Sequence, residues 1–179
     1  KHTSGVHILP SPSYLNGHPP ATAEIMERLL GALKHTFDFI IVDGGQSLDG
    51  PAIKAIEMAD QVLLVTLLSL PCLRNTKNLL KSLSGMDAIQ QERLRLVINR
   101  YLKKSEISIK EAETSIRKEI FWNIPNDYKT TMSAINRGIP LNKISPKASI
   151  TKNLTELANA LIRPPEEKIE RKGWRIFKS

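Results

Sequence analysis

The chain has 179 residues, 41% of them hydrophobic, a length and content that suit the core of one ordinary domain. Lys and Arg number 26 against 18 Asp and Glu, for a net charge of +8, which is compatible with an anionic partner but equally with a solvated basic surface. Cys72 is the single cysteine, so no internal disulfide forms, and the longest apolar run, VLLVTLLSL, falls well short of the roughly 18–20 residues of a membrane span, so a cytoplasmic setting is expected.

Apolar stretches of strand length alternate with segments of helical period, the mark of parallel βα units. Five strands are predicted, at residues 6–9, 37–43, 61–67, 94–99 and 120–124. A proline-rich loop, PSPSYLNGHPP, follows the first and leads to a helix whose Met26, Leu29, Leu30 and Leu33 share one face. The second strand ends in DGG, and Asp49 with Pro51 then opens another helix. The third, QVLLVTL, is apolar on both faces and is expected at the sheet centre. Ser69 and Pro71 open the next helix, which carries Leu73, Leu80 and Leu83, with Cys72 as a small buried hydrophobe. After the fourth strand, Ser108 and Glu111 form a capping box ahead of Ile109, Ala112 and Ile116. After the fifth, Asp127 caps a helix bearing Tyr128, Met132 and Ile135, which stops at Gly138. A last helix runs from about residue 149, with Ile150, Leu154, Leu157, Ala158 and Leu161 on one stripe, until RPP ends it. Residues 1–162 form the predicted domain and 163–179 a flexible basic tail.

In a doubly wound parallel sheet, ligands bind beyond the carboxyl ends of the strands, and three strand ends here are polar. Asp43 ends FDFIIVD, a strand that delivers one carboxylate to the site edge, where it can hold a magnesium-bound water, while Gly44 and Gly45 allow a sharp turn beside a phosphate. An aspartate in that place can equally begin a turn. Asn99 closes LVINRY with an amide able to donate and accept toward a purine edge, or else to make an Asx turn. FWNIPNDY closes the fifth strand, and Pro125 there fixes the backbone so that Asn126 and Asp127 face the same rim, Asp127 also serving as a helix cap. The four histidines show no metal-ligand spacing.

Taken in order, these strand ends resemble the ParA/MinD family of deviant Walker ATPases over roughly residues 6–162. FDFIIVD looks like that family's Walker B strand, MADQVLLVTLLSLPCLRNTKNLLKSL like its following strand and helix, VINRY like its adenine-side asparagine strand, and IPND like its base-proximal loop. The phrase IFWNIPNDYKTTMSAINRGIPL is similar to the CpaE/TadZ branch, whose members assist assembly of Flp-type pili at the cell pole. The resemblance implies a doubly wound, mostly parallel sheet with helices on both faces, of P-loop NTPase type and incomplete. It implies ATP and Mg²⁺ as cofactors, with Asp43, Gly44 and Gly45 on the magnesium and phosphate side and Asn99, Arg100, Pro125, Asn126 and Asp127 on the base side. It further implies pilus or secretion assembly proteins as partners, a homodimer, and a location in the cytoplasm, peripheral at the inner membrane or cell pole. Relatives of the MinD kind can end in a membrane-seeking amphipathic helix; the tail puts Ile169, Ile176 and Phe177 near one side of a possible helix, with Trp174 off that stripe, but Gly173 weakens the helix and a short frayed tail is the favoured expectation.

One departure is large. A phosphate-binding loop needs a glycine followed by lysine, and none of the nine glycines is so followed. The expectation is a fragment, opening on Lys1, that lacks the N-terminal part of the ATPase domain; no catalytic residue is assigned, and the chain alone is expected to be inactive. Two alternatives stand beside this. A partition ATPase of the ParA kind would meet DNA through Arg93, Arg95, Arg100, Lys103 and Lys104, although a nucleic-acid partner is not expected without a helix-turn-helix or stacking platform. A receiver-like or scaffolding domain would use Asp43 as phosphoacceptor, but the acidic pair and the lysine that such domains need are lacking.

Overall fold

Leu94, Leu96, Val97 and Ile98 are consecutive or nearly so and at most 2% exposed, so both faces of one strand are covered. In the computed structural model this strand is β2 (Leu94–Tyr101), which lies between β1 (Val62–Thr66) and β3 (Ile120–Pro125) in a sheet of order β1-β2-β3. The structure describes residues 2, 4–10, 21–86 and 89–162. They divide into two compact units, one made of the described residues up to Val62 with Met86–Arg93, the other of Leu63–Gly85 and the residues from Leu94 onward.

In the first unit, α1 (Ala23–Lys34) packs with α2 (Gly50–Met58). Thr22 caps α1 by accepting from the Ile25 N–H at 3.3 Å, and Asp49 caps α2 by accepting from Ala52 at 3.0 Å. The carboxyl end of α2 is closed by two cations. Lys34 Nζ donates to the Met58 carbonyl at 3.1 Å, and the Arg93 guanidinium donates to those of Glu57 and Ala59 at 3.4 and 3.1 Å.

The second unit holds the sheet with α3 (Leu70–Ser84), α4 (Ile109–Ile116), α5 (Tyr128–Arg137), α6 (Leu141–Ile144) and α7 (Ser149–Ile162). α3 packs with α4 and buries Leu73, Leu80 and Leu83, and its Thr76 hydroxyl pairs with that of buried Thr66 on β1 at 2.9 Å. α4 carries the complete capping box: Ser108 Oγ accepts from Glu111 N–H at 3.2 Å and Glu111 Oε2 accepts from Ser108 N–H at 2.8 Å. Glu113 Oε1 then accepts from the Ile120 N–H at 2.9 Å, fixing where β3 starts after α4. α7 packs on β3, with Ile150 and Leu157 buried.

The α/β class with a parallel sheet stands, and the helix starts at Asp49, Ser108 and Asp127 and the stop at Gly138 are where the residue chemistry puts them. Four expectations change. Residues 6–9 and 37–43 form no strand; a ladder needs a hydrogen-bonded neighbour, neither segment has one among the described residues, and Ile8, Leu9, Phe39 and Ile41 stay 66–95% exposed. QVLLVTL is an outer strand of the described sheet, with Val65 59% exposed, and the central place belongs to β2, which alone has a neighbour on each side. Ser69 sits at the N-cap of α3 without a side-chain capping bond, and Cys72 is half-buried, with its carbonyl accepting from Thr76 Oγ1 at 2.8 Å. The tail 163–179 and the loop 11–20 lie outside the described residues.

Two expected outcomes follow from this packing. Leu96→Ala should lower unfolding stability by about 2–5 kcal/mol, and Ile41→Ala by less than about 0.5 kcal/mol, read from urea denaturation. Equal costs would show that residues 37–43 are paired and buried after all. The hydrogen bonds from Ser108 hold the Glu111 carboxyl below the ordinary glutamate value of 4.5. A depressed carboxylate adds stability above its unfolded-state value and loses it as pH falls through the folded one. Glu111→Gln should therefore remove part of the acid-induced loss of helix seen by circular dichroism below about pH 4.5; an unchanged acid profile would remove the box from the account.

Candidate functional site

Because β2 and β3 run parallel, with Leu96 beside Ile120, Ile98 beside Asn123 and Tyr101 beside Pro125, their carboxyl ends reach one edge together. The ladder is irregular between Ile98 and Tyr101. Within that irregular stretch Arg100 has φ +52°, the left-handed region that costs a non-glycine residue roughly 1–2 kcal/mol. Asn99 Oδ1 accepts the Arg100 N–H at 2.8 Å, which pairs a donor that the irregular ladder would otherwise leave without an acceptor. The Asn99 amide Nδ2 has no partner among the described residues and stays available as a donor.

Across the edge, Asn126 N–H donates to the Tyr101 carbonyl at 3.0 Å, carrying the pairing one residue past β3. Asp127 then turns the chain into α5: its Oδ1 accepts from Thr130 N–H at 3.0 Å and its carbonyl from Thr131 Oγ1 at 2.7 Å. The fold thus brings together Asn99, Arg100, Pro125, Asn126 and Asp127 in one short rim. Arg100 and Asn126 are exposed, while Asn99, Pro125 and Asp127 are half-buried. The cap expected at Asp127 is realised, whereas Asn99 makes no Asx turn, its Oδ1 accepting from the next residue's N–H and not from the one two residues on. A flat ring edge with donors and acceptors, such as a purine, suits that arrangement.

Asp43, Gly44 and Gly45 stand in the first unit, all exposed, with Gly45 in the left-handed region at φ +65°. Among the described residues no group of three or more His, Cys, Asp or Glu forms a metal cluster. Asp43 alone suits magnesium only in the way that ion is commonly held, by one carboxylate with waters while substrate phosphates supply other oxygens. Of the basic residues singled out in the sequence, Arg93 is engaged by the end of α2, and Arg95 lies over the Phe121 ring at 4.3 Å. Both are thereby drawn into the fold.

One set of polar residues escaped the sequence reading. Trp122 Nε1 donates to Asn153 Oδ1 at 3.1 Å, Asn153 Nδ2 donates to the Asn123 carbonyl at 3.2 Å, and the buried Asn123 Oδ1 has no hydrogen-bond partner among the described residues. These bonds tie α7 to β3 just behind the rim. The signal was Asn123 itself, an amide inside the otherwise apolar IFWNIP.

No family model matches the chain. It is 27% identical over 141 residues to the septum site-determining protein MinD of Thermotoga maritima, covering 76% of this chain and 51% of that protein. Among solved structures, a ParA family ATPase from Chlorobium tepidum superposes with a TM-score of 0.73 at 28% identity, covering 78% of this chain and 57% of the other. The cell division ATPase MinD of Pyrococcus furiosus gives 0.64 at 26%, covering 79% and 58%. The fold is also shared with MinD of Pyrococcus horikoshii, solved in complex with Mg-ADP, at a TM-score of 0.65 and 23% identity over 80% of this chain and 58% of that one. The chain spans about half the length of the curated relatives it matches. These relatives and structures support the MinD/ParA-type ATPase family for this chain, and its α/β fold matches theirs.

The double use of Asp127 gives a test. Asp127→Ala should destabilise α5 by about 1 kcal/mol, whereas Asp127→Asn, which still caps, should cost a few tenths at most. Equal losses in the two variants would mean that the carboxylate charge, and not the cap, holds the turn.

Proposed function

We propose that this chain is the carboxyl-proximal part of a MinD/ParA-type ATPase domain, and that its rim holds the adenine side of ATP. The observation that carries the reading is the rim itself, where Asn99 and Asn126–Asp127 are fixed by the backbone bonds Arg100 N–H to Asn99 Oδ1 and Asn126 N–H to the Tyr101 carbonyl. In this reading Asn99 Nδ2 donates to the base, Pro125 and Asn126 wall it, and Asp43 orients a magnesium-bound water, with Gly44 and Gly45 giving the turn room. Magnesium, when bound with the nucleotide, supplies charge neutralisation at the phosphates. The lysine-bearing loop that would cradle those phosphates is not among the residues of this chain.

Within the family we favour the CpaE/TadZ branch, with a role in pilus assembly at the cell pole and assembly proteins as partners. The support is the run from Ile120 to Leu141, which combines the rim, the α5 helix and its Gly138 stop. A partition ATPase is the second reading and is equally compatible with the likeness to a ParA family ATPase. Binding to DNA that falls steeply between low and physiological salt would favour it. Nucleotide-dependent dimerisation and peripheral membrane contact through residues 163–179 belong to the proposal for the longer protein. No helix among the described residues is long and apolar enough to cross a membrane.

The 179-residue chain should show no ATP hydrolysis and no micromolar ATP binding by calorimetry. A longer protein that adds a glycine-lysine loop ahead of it should bind ATP with magnesium. There Asp43→Ala should weaken the magnesium dependence by about tenfold or more, and Asn99→Ala should reduce the preference for ATP over GTP instead. Micromolar ATP binding by the chain as it stands, or an Asn99→Ala variant with unchanged base preference, would overturn the reading.

A further inference from the structure

α5 begins at the rim and leaves it with an apolar stripe turned to solvent. Tyr128 is 66% exposed, Ile135 64% and Ile139 40%, and Met132 between them is half-buried. The spacing of four and three residues puts Tyr128, Met132 and Ile135 on one side of α5, at about 100° per residue, and Ile139 follows the αL cap at Gly138, where its N–H donates to the Ala134 carbonyl at 3.1 Å. The opposite side, at Ala134, is buried and fixes the helix in place. The stripe is therefore not the packing face of α5.

After the capping Asp127, the charge along the chain through this stripe is of one sign. From Tyr128 to Thr155 the chain contains no Asp or Glu, while Lys129, Arg137, Lys143, Lys147 and Lys152 are all exposed. Among the described residues none of the five is in an ion pair, and the pair Lys54–Glu57 belongs to the first unit. Lys129 and Arg137 lie on α5 itself, and Lys143 lies on α6, which packs with α5.

We propose that the exposed face of α5, with Ile139 and α6, is a docking surface for an acidic amphipathic helix of a partner protein. Anchors spaced as Tyr128, Met132 and Ile135 meet a helix that presents its own apolar line, and the exposed cations select carboxylates on either side of that line. Tyr and Met are residues enriched where proteins meet, whereas the Trp, Phe and Leu of helices that lie in a lipid interface are lacking from the stripe. A second copy of the chain laid on the same face by two-fold symmetry would bring Lys129, Arg137 and Lys143 toward their own copies, like charge against like. The face is small, so the contact it makes is a transient one.

The test uses the 179-residue chain and an acetylated peptide of about 15 residues with Leu at helical spacing and Glu at the flanking positions. Its Lys-for-Glu version serves as control, as do vesicles of phosphatidylcholine with about one-third phosphatidylglycerol. Amide shifts on titration should concentrate at Tyr128–Ile139 for the glutamate peptide alone. Ile135→Asp, and separately the triple change Lys129→Glu, Arg137→Glu and Lys143→Glu, should each weaken binding about tenfold or more, with circular dichroism unchanged because the altered side chains are exposed. Lys110→Glu, on α4, should leave it unchanged. The proposal is overturned by no binding of the glutamate peptide, by equal binding of the two peptides, or by full binding in the variants. It is also overturned by capture of this face by the vesicles in place of the peptide, or by a sedimenting dimer that Ile135→Asp makes monomeric.

Discussion

Everything described for the site depends on the parallel pairing of β2 with β3. A parallel ladder sends both strands the same way, so the residues that leave it must leave together, and that alone places Asn99–Arg100 beside Pro125–Asn126. The buried run Leu94, Leu96, Val97 and Ile98 drives the pairing, since these side chains leave water only if β2 has cover on both faces. α7 supplies cover against β3, held by Asn153 between Trp122 and Asn123, so the support behind the rim is partly polar. Among the described residues the buried Asn123 Oδ1 has no partner, which leaves that support incomplete.

In the rim a few residues serve the structure with some atoms and keep others for the proposed recognition of a base. Asn99 spends Oδ1 on its neighbour's N–H and keeps Nδ2; Asp127 spends Oδ1 on the first turn of α5. Such bonds hold the side chains near one rotamer, which reduces the conformational entropy lost when a ligand arrives. The left-handed Arg100 sits at the register irregularity of the same ladder, just before Tyr101 pairs with Pro125. α5 joins this rim to the face proposed for a partner, its cap at Asp127 belonging to one and Tyr128 to the other. A ligand at the rim and a partner on the helix would thus act on one ten-residue element, the first at its N-terminal cap and the second along its exposed face.

Helix boundaries were legible because they rest on local chemistry. Asp49, the Ser108–Glu111 box, Asp127 and Gly138 each satisfy or release backbone groups within four residues, and no distant contact is needed to read them. The parallel α/β class was legible from alternation, and the order of motifs along the chain pointed to the family that the relatives support. The residues of the rim were named from the same logic, as polar strand ends.

The tertiary structure decided what apolar strand-length runs become. FDFIIVD and QVLLVTL look alike in composition, yet one forms no ladder and the other does, because hydrogen-bonded neighbours, which no single segment carries, make a strand. The same dependence placed β2 instead of β1 at the centre, gave Arg100 within β2 its left-handed φ, set Asn153 between residues 31 and 30 positions away, and turned Tyr128 and Ile135 outward. Periodicity in the sequence marks a helix face as apolar, but whether that face meets the core or water depends on where the neighbouring elements pack, and that is a property of the folded chain alone.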